Sequence, residues 1–168
     1  MSIQYYIFPL LLSMSLLFGG CQSDTAATPS EASGFELKRD LEGTWQTVQI
    51  NVAVNSADGL DSFRVENLSE QIWRQQFGMQ PPKFYFQPDN KFRRVHETLQ
   101  GKVMDEGKGM WNAFGDTLVM IEPDATYQYI VKGDGGRATF RTLMDWDEDG
   151  ETDDEFQALR RKISVGSK

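Results

Sequence analysis

The sequence predicts an all-β domain: an eight-stranded antiparallel up-and-down barrel with one helix inserted between strands 1 and 2. Three observations predict it. From Trp45 onward the dominant hydrophobic period is two. Turn residues break that alternation at short intervals. The segments so delimited number eight, and an open ribbon of that size would leave two exposed edges that closure removes.

The elements follow in order. "TWQTVQINVAV" sets Val48, Ile50 and Val52 against polar neighbours. "KFYFQ" and "KFRRVHET" flank "PDN", a turn in which Pro88 presets φ and Asn90 tolerates the left-handed region. "KVMDEGKGMWNAF" is a glycine-broken strand, and "GDTLVMIE" returns after a Gly-Asp turn. "ATYQYIVK" alternates Tyr127, Tyr129 and Val131, and "GDGG" ends it. "RATFRTLMDW" and "EFQALRRKI" complete the eight.

One stretch has a different period. In "NLSEQIWRQQFG", Asn67 stands three residues before Glu70, a capping-box spacing. Leu68 with Ile72, and Trp73 with Phe77, are i,i+4 pairs. Gly78 and Pro81-Pro82 stop the helix. Its apolar stripe needs a partner surface, either one mouth of the barrel or its outside.

The chain begins with an uncharged segment in which Ile7 to Phe18 is a mostly apolar run of twelve, close to a secretory h-region and short for a bilayer span. "LFGGC" resembles a bacterial lipobox. The resemblance implies a signal peptide over residues 1–20, cleavage before Cys21, and lipid on that cysteine. The protein would then sit in the cell envelope, lipid-anchored outside the cytoplasm and on the outer membrane. "QSDTAATPSEASG" is too polar and small to offset its ordering entropy, so residues 21–40 read as a flexible tether. Residues 41–168 form the barrel domain.

"LEGTW", Leu41 to Trp45, resembles the G-x-W start of lipocalins, and "KFYFQPDNKF" with "GMWNAFGDTLVM" resembles the hairpins of small lipocalin-like lipoproteins of Bacteroidetes. The likeness spans roughly residues 41 to 165. It implies that Trp45 closes the barrel base, with Arg160 or Arg161 of the last strand packed across it. It also implies a small hydrophobic or amphipathic ligand. An eight-stranded barrel can hold one small ligand or fill with side chains. Phe84, Phe86, Tyr127 and Tyr129 are the lining candidates, or equally the core of a filled barrel. Arg94 and His96 share a face with Phe92, which would bring a basic group inside to meet a carboxylate. A lone histidine at a strand end more often faces solvent.

Net charge is −8, from 17 basic and 25 acidic residues. Eight of those acids lie between Asp145 and Glu155, so the remainder is balanced and offers no basic face for nucleic acid. Numbered from Asp145, Asp147, Asp149, Glu151 and Asp153 continue an every-second-residue series with Gly150 at position six. That spacing resembles the D-x-D-x-D-G calcium loop, with Glu155 one residue short of the usual bidentate position, which Phe156 occupies. An all-oxygen set suits calcium at the weak extracellular range of about 10⁻⁴ to 10⁻³ M. The alternative is a solvated turn between the last two strands.

One cysteine and one histidine leave no intramolecular disulfide, thiolate cluster or multi-histidine zinc site. No G-x-S-x-G, H-E-x-x-H or phosphate loop is present, and the reading is a binding protein, not an enzyme. Its partner is then either a small hydrophobic ligand in the barrel or an envelope protein docked on a filled one.

Overall fold

The computed structural model describes residues 35–55 and 62–165. The segments read as leader and tether up to Gly34, with Cys21, the expected site of lipid attachment, lie outside the described residues. The first element of the described residues is a helical turn, α1 (Leu37–Asp40), inside the stretch read as tether. Leu37 is buried in the main core cluster, so these residues pack on the barrel.

Nine strands follow: β1 (Gly43–Val54), β2 (Arg64–Ser69), β3 (Lys83–Phe86), β4 (Lys91–Glu97), β5 (Val103–Phe114), β6 (Thr117–Ile121), β7 (Thr126–Gly133), β8 (Arg137–Met144) and β9 (Asp154–Val165). They fill eight barrel positions. One edge of β1 runs along β9, from Gly43↔Val165 to Ala53↔Glu155, and closes the sheet. Its other edge is divided: Gly43 to Gln46 pair with β3, and Gln49 to Val54 pair with β2. Helix α2 (Glu70–Phe77) therefore interrupts the second barrel position. All pairings are antiparallel, β3 through β9 in chain order.

Strand β2 is the element that alternation does not reveal, and its presence moves the helix start. The N-cap is Ser69, whose hydroxyl accepts from Ile72 N at 3.3 Å, not Asn67, which pairs with Asn51 in the sheet. Leu68 is a strand residue opposite Ile50, so it makes no i,i+4 pair with Ile72. The stop is as read: Gly78 sits at φ 64°, the left-handed conformation that glycine adopts without a Cβ clash.

A β-bulge between Thr47 and Gln49 changes which side of β1 faces inward. Trp45 and Thr47 are buried before it; Ile50, Val52 and Val54 are buried after it. Without the bulge, the two sets would lie on opposite faces.

The base of the barrel is solid. Trp45, Phe86, Trp111 and Phe140 are all buried and meet edge-on: Phe86–Trp111 at 5.5 Å and Trp45–Phe140 at 6.5 Å between centroids. α1 covers this end. Lys38 Nζ reaches Asn90 Oδ1 and Asn112 Oδ1 at 2.9 and 2.8 Å and lies 4.9 Å from the Trp111 ring.

Candidate functional site

Above this base the barrel is not filled. A cavity of about 290 Å³ is walled by residues of β1, β3, β4, β6, β7, β8 and β9, with Trp73 of α2 and Trp146 of the β8–β9 turn also lining it. Phe84, Tyr127 and Tyr129 line it; Phe86 does not, and stands one layer below against Phe92 and Trp111.

Two glycines on β5 leave room for groups of the neighbouring strands. A Cβ at Gly107 would stand 2.8 Å from Glu122 Oε1 and 2.9 Å from Arg94 Nη2, and one at Gly109 would meet the Ile121 carbonyl. Across the vacant surface of β5, Arg94 of β4 reaches Glu122, which follows β6, at 3.3 Å. Burial opposes the Arg94 charge, but the hydrogen bond and charge of Glu122, together with Asp105 and Tyr127, more than offset it, so its pKa stands above the ordinary value. Arg94 Nη1 also lies 3.0 Å from His96 Nε2. A guanidinium only donates, so Nε2 accepts and the imidazole is neutral. Burial first, then the Arg94 charge, lowers the His96 pKa. His96 faces the cavity, half-buried beside Trp73.

Arg160 is the cavity's unusual residue. Its position follows from β9's inward series: Asp154, Phe156, Ala158 and Arg160 are all buried. The guanidinium lies 3.6 Å from the Phe84 ring centroid and 4.0 Å from that of Phe140. Among the described residues its Nε and Nη1 are buried with no acceptor and no carboxylate acts on it; Tyr129 is its hydrogen-bonding neighbour and Arg94 the nearby charge. Burial pushes its pKa down to about 10, with Tyr129 opposing the shift, so it is cationic at neutral pH. Burying an ion costs several kcal/mol even after relaxation, and each ring returns about 0.5 to 2 kcal/mol. Two ring faces therefore do not fully replace a counter-ion. The lining as a whole holds two guanidinium groups against one carboxylate, inside a protein of net charge −8.

The indole of Trp45 has a different cation from the two the family likeness implies. Lys162 Nζ lies 5.4 Å from the Trp45 ring and donates to Asp40 O at 2.6 Å. Lys162 is the direct β9 partner of Trp45. Arg160 points into the cavity one inward position earlier, and Arg161 faces out toward Gln46 and Glu70. Trp45 Nε1 donates to Leu41 O at 2.7 Å, tying the start of β1 to α1's end.

The acidic turn joins β8 to β9. Asp145, Asp147 and Asp149 can place one carboxylate oxygen each within 4.8 Å of one another. Asp149 Oδ2 is buried without a donor, and Asp149 Oδ1 accepts from Glu151 N at 2.8 Å. These features suit a hard cation. Glu151 and Glu155 are exposed and stand outside that trio; Asp153 contributes its carbonyl to Asn55 Nδ2 at 2.7 Å. Asp154 has a place that the spacing of the acidic run does not reveal. It is fully buried and accepts from Asn55 N at 2.9 Å and Trp146 N at 2.7 Å, pinning the turn to the end of β1. Trp146 in turn packs tilted against Phe156, 6.0 Å between ring centroids, and donates to Glu66 Oε2 at 2.9 Å.

Trp73, Trp146 and Glu122 are site residues that strand alternation alone does not pick out, whereas the inward face shared by Arg94, His96 and Phe92 is as read. Trp73 and Trp146 sit outside the strands, and Arg94–Glu122 depends on what β5 lacks. A second depression, of about 500 Å³, lies on the outer wall and is lined in part by the exposed Val65, Ile130 and Leu143.

The class of protein defined by these features is a closed antiparallel β-barrel with an internal cavity. No protein-family model matches this chain, and no curated protein matches it in sequence. Among solved structures it is similar to a lipocalin-like protein from Bacteroides uniformis ATCC 8492, with a TM-score of 0.45 and 13% identity, over 74% of this chain and 99% of that one.

Proposed function

We propose that the protein is a binding protein that holds a small hydrophobic or amphipathic ligand in its barrel, anchored through lipid on Cys21 to the outside of a bacterial envelope membrane. The observation that carries this is the 290 Å³ interior cavity above a packed base, with aromatic walls. Pockets for small ligands begin near about 300 Å³. A calcium ion held by Asp145, Asp147 and Asp149 would fix the β8–β9 turn, and with it Trp146 at the cavity rim. Native mass spectrometry of the protein purified from its own membranes tests the reading. A lipidated N-terminus and a co-purifying small molecule are the expected result. A molecule bound at the outer depression, with the cavity still accessible to an apolar dye, would reverse it.

The alternative is a module that docks onto an envelope protein. The exposed Val65, Ile130 and Leu143 on the outer wall favour that surface over the acidic turn. Replacing all three with serine would abolish such docking and leave cavity binding unchanged.

A further inference from the structure

We infer that the ligand carries a carboxylate, and that Arg160 at the cavity floor receives it. This rests on the reading of the cavity as a ligand site and specifies its chemistry. Four observations converge. Arg160 is 3% exposed, and its Nε and Nη1 have no protein acceptor. The nearest cation, Arg94, is already held by Glu122, so that carboxylate is not available to Arg160. Among the described residues the second lining guanidinium thus has the Tyr129 hydroxyl as a neutral partner but no carboxylate, and a buried cation that lacks a counter-ion is stabilised by an incoming anion. The aromatic faces of Phe84 and Phe140 fix the plane of the guanidinium, which pre-positions its N–H groups.

The remaining walls set the rest of the molecule. Phe84, Met120, Tyr127, Met144 and Phe156 offer apolar contact between the floor and the rim. Taking about 30 Å³ per water-sized group, 290 Å³ admits on the order of ten non-hydrogen atoms. A carboxylate on a short apolar body fits both conditions. At the rim, Trp73 Nε1 is a second buried donor without an acceptor and would favour a polar group at the far end of the ligand.

Octanoate and 1-octanol test the inference, since they share a chain and differ in charge at pH 7. The full chain is titrated with each, following heat and the emission of Trp73 and Trp146. Octanoate is expected to bind on the order of ten- to a hundredfold more tightly, the range of a charge-assisted hydrogen bond. In Arg160→Met that preference is expected to vanish while 1-octanol binding persists. Arg160→Lys, which keeps the charge, retains part of the preference and supplies the comparison should the methionine variant not fold. Equal binding of the two probes to the natural protein overturns the carboxylate inference and leaves the cavity reading standing. A preference that survives in Arg160→Met overturns it as well. Binding of neither probe removes both.

Discussion

Lys162 stands over Trp45, 5.4 Å from the indole, and ties the last strand to the first at the base of the barrel. The same ammonium donates to Asp40 O, so one side chain joins β9, β1 and α1. Lys162→Met retains the stem and removes both interactions. Urea unfolding is expected to show a loss of about 1 to 3 kcal/mol, combining a cation–π contact with a charged hydrogen bond. Arg161→Met, on the outer face, is expected to change stability by less than about 0.5 kcal/mol. The reverse order would mean that Arg161, not Lys162, closes the base.

A buried carboxylate holds the opposite end. Asp154 accepts backbone N–H groups from Asn55 and Trp146 and is fully buried. Asp154→Ala leaves two donors without a partner, at about 1 to 3 kcal/mol each. A destabilisation above about 2 kcal/mol is expected, together with a change in Trp146 emission. Asp153→Ala, whose backbone carbonyl still serves Asn55, is expected to cost much less.

These two residues show what was legible in the sequence. Closure was legible, because period two and turn residues counted eight segments and a barrel of eight positions followed. The identity of the closing cation was not, because the β1 bulge sets which β9 residue faces Trp45, and no residue type marks that bulge. β2 was hidden since "RVENLS" has only Val65 and Leu68 as apolar residues, on opposite faces. The inward place of Arg160 was written in the Phe156–Ala158–Arg160 alternation, but an arginine inside a barrel runs against the usual exposure of charge.

His96 makes stability depend on pH. Burial and Arg94 lower its folded pKa, with Asp105 opposing; Trp73 packs beside it. The unfolded histidine titrates near its ordinary value of about 6.5. Between the folded pKa and 6.5 the unfolded chain binds the extra proton. The contribution is therefore full above pH 6.5 and is lost as pH falls toward the folded value. Thermal melts from pH 7.5 to 5.5 are expected to show a decline that His96→Gln lacks. Parallel curves for the two proteins would remove His96 as the source.

The acidic turn predicts a response to calcium. Asp145, Asp147 and Asp149 bring three oxygens together, and Asp149 Oδ2 is buried without a donor. An ion bound only by the folded state stabilises it by RT ln(1 + [L]/Kd). At 10 mM calcium and a Kd of about 0.1 to 1 mM, that is about 1.4 to 2.7 kcal/mol, or several degrees in Tm for a domain of this size. Magnesium at the same concentration is the control, since it requires a tighter octahedral shell. Asp147→Asn with Asp149→Asn should abolish the calcium increment. It should also raise the calcium-free Tm, because crowded like charges repel when no cation separates them. A melting curve that calcium leaves where magnesium leaves it would make the turn a solvated linker. Asp154 would still pin that linker to the end of β1 through its two backbone hydrogen bonds.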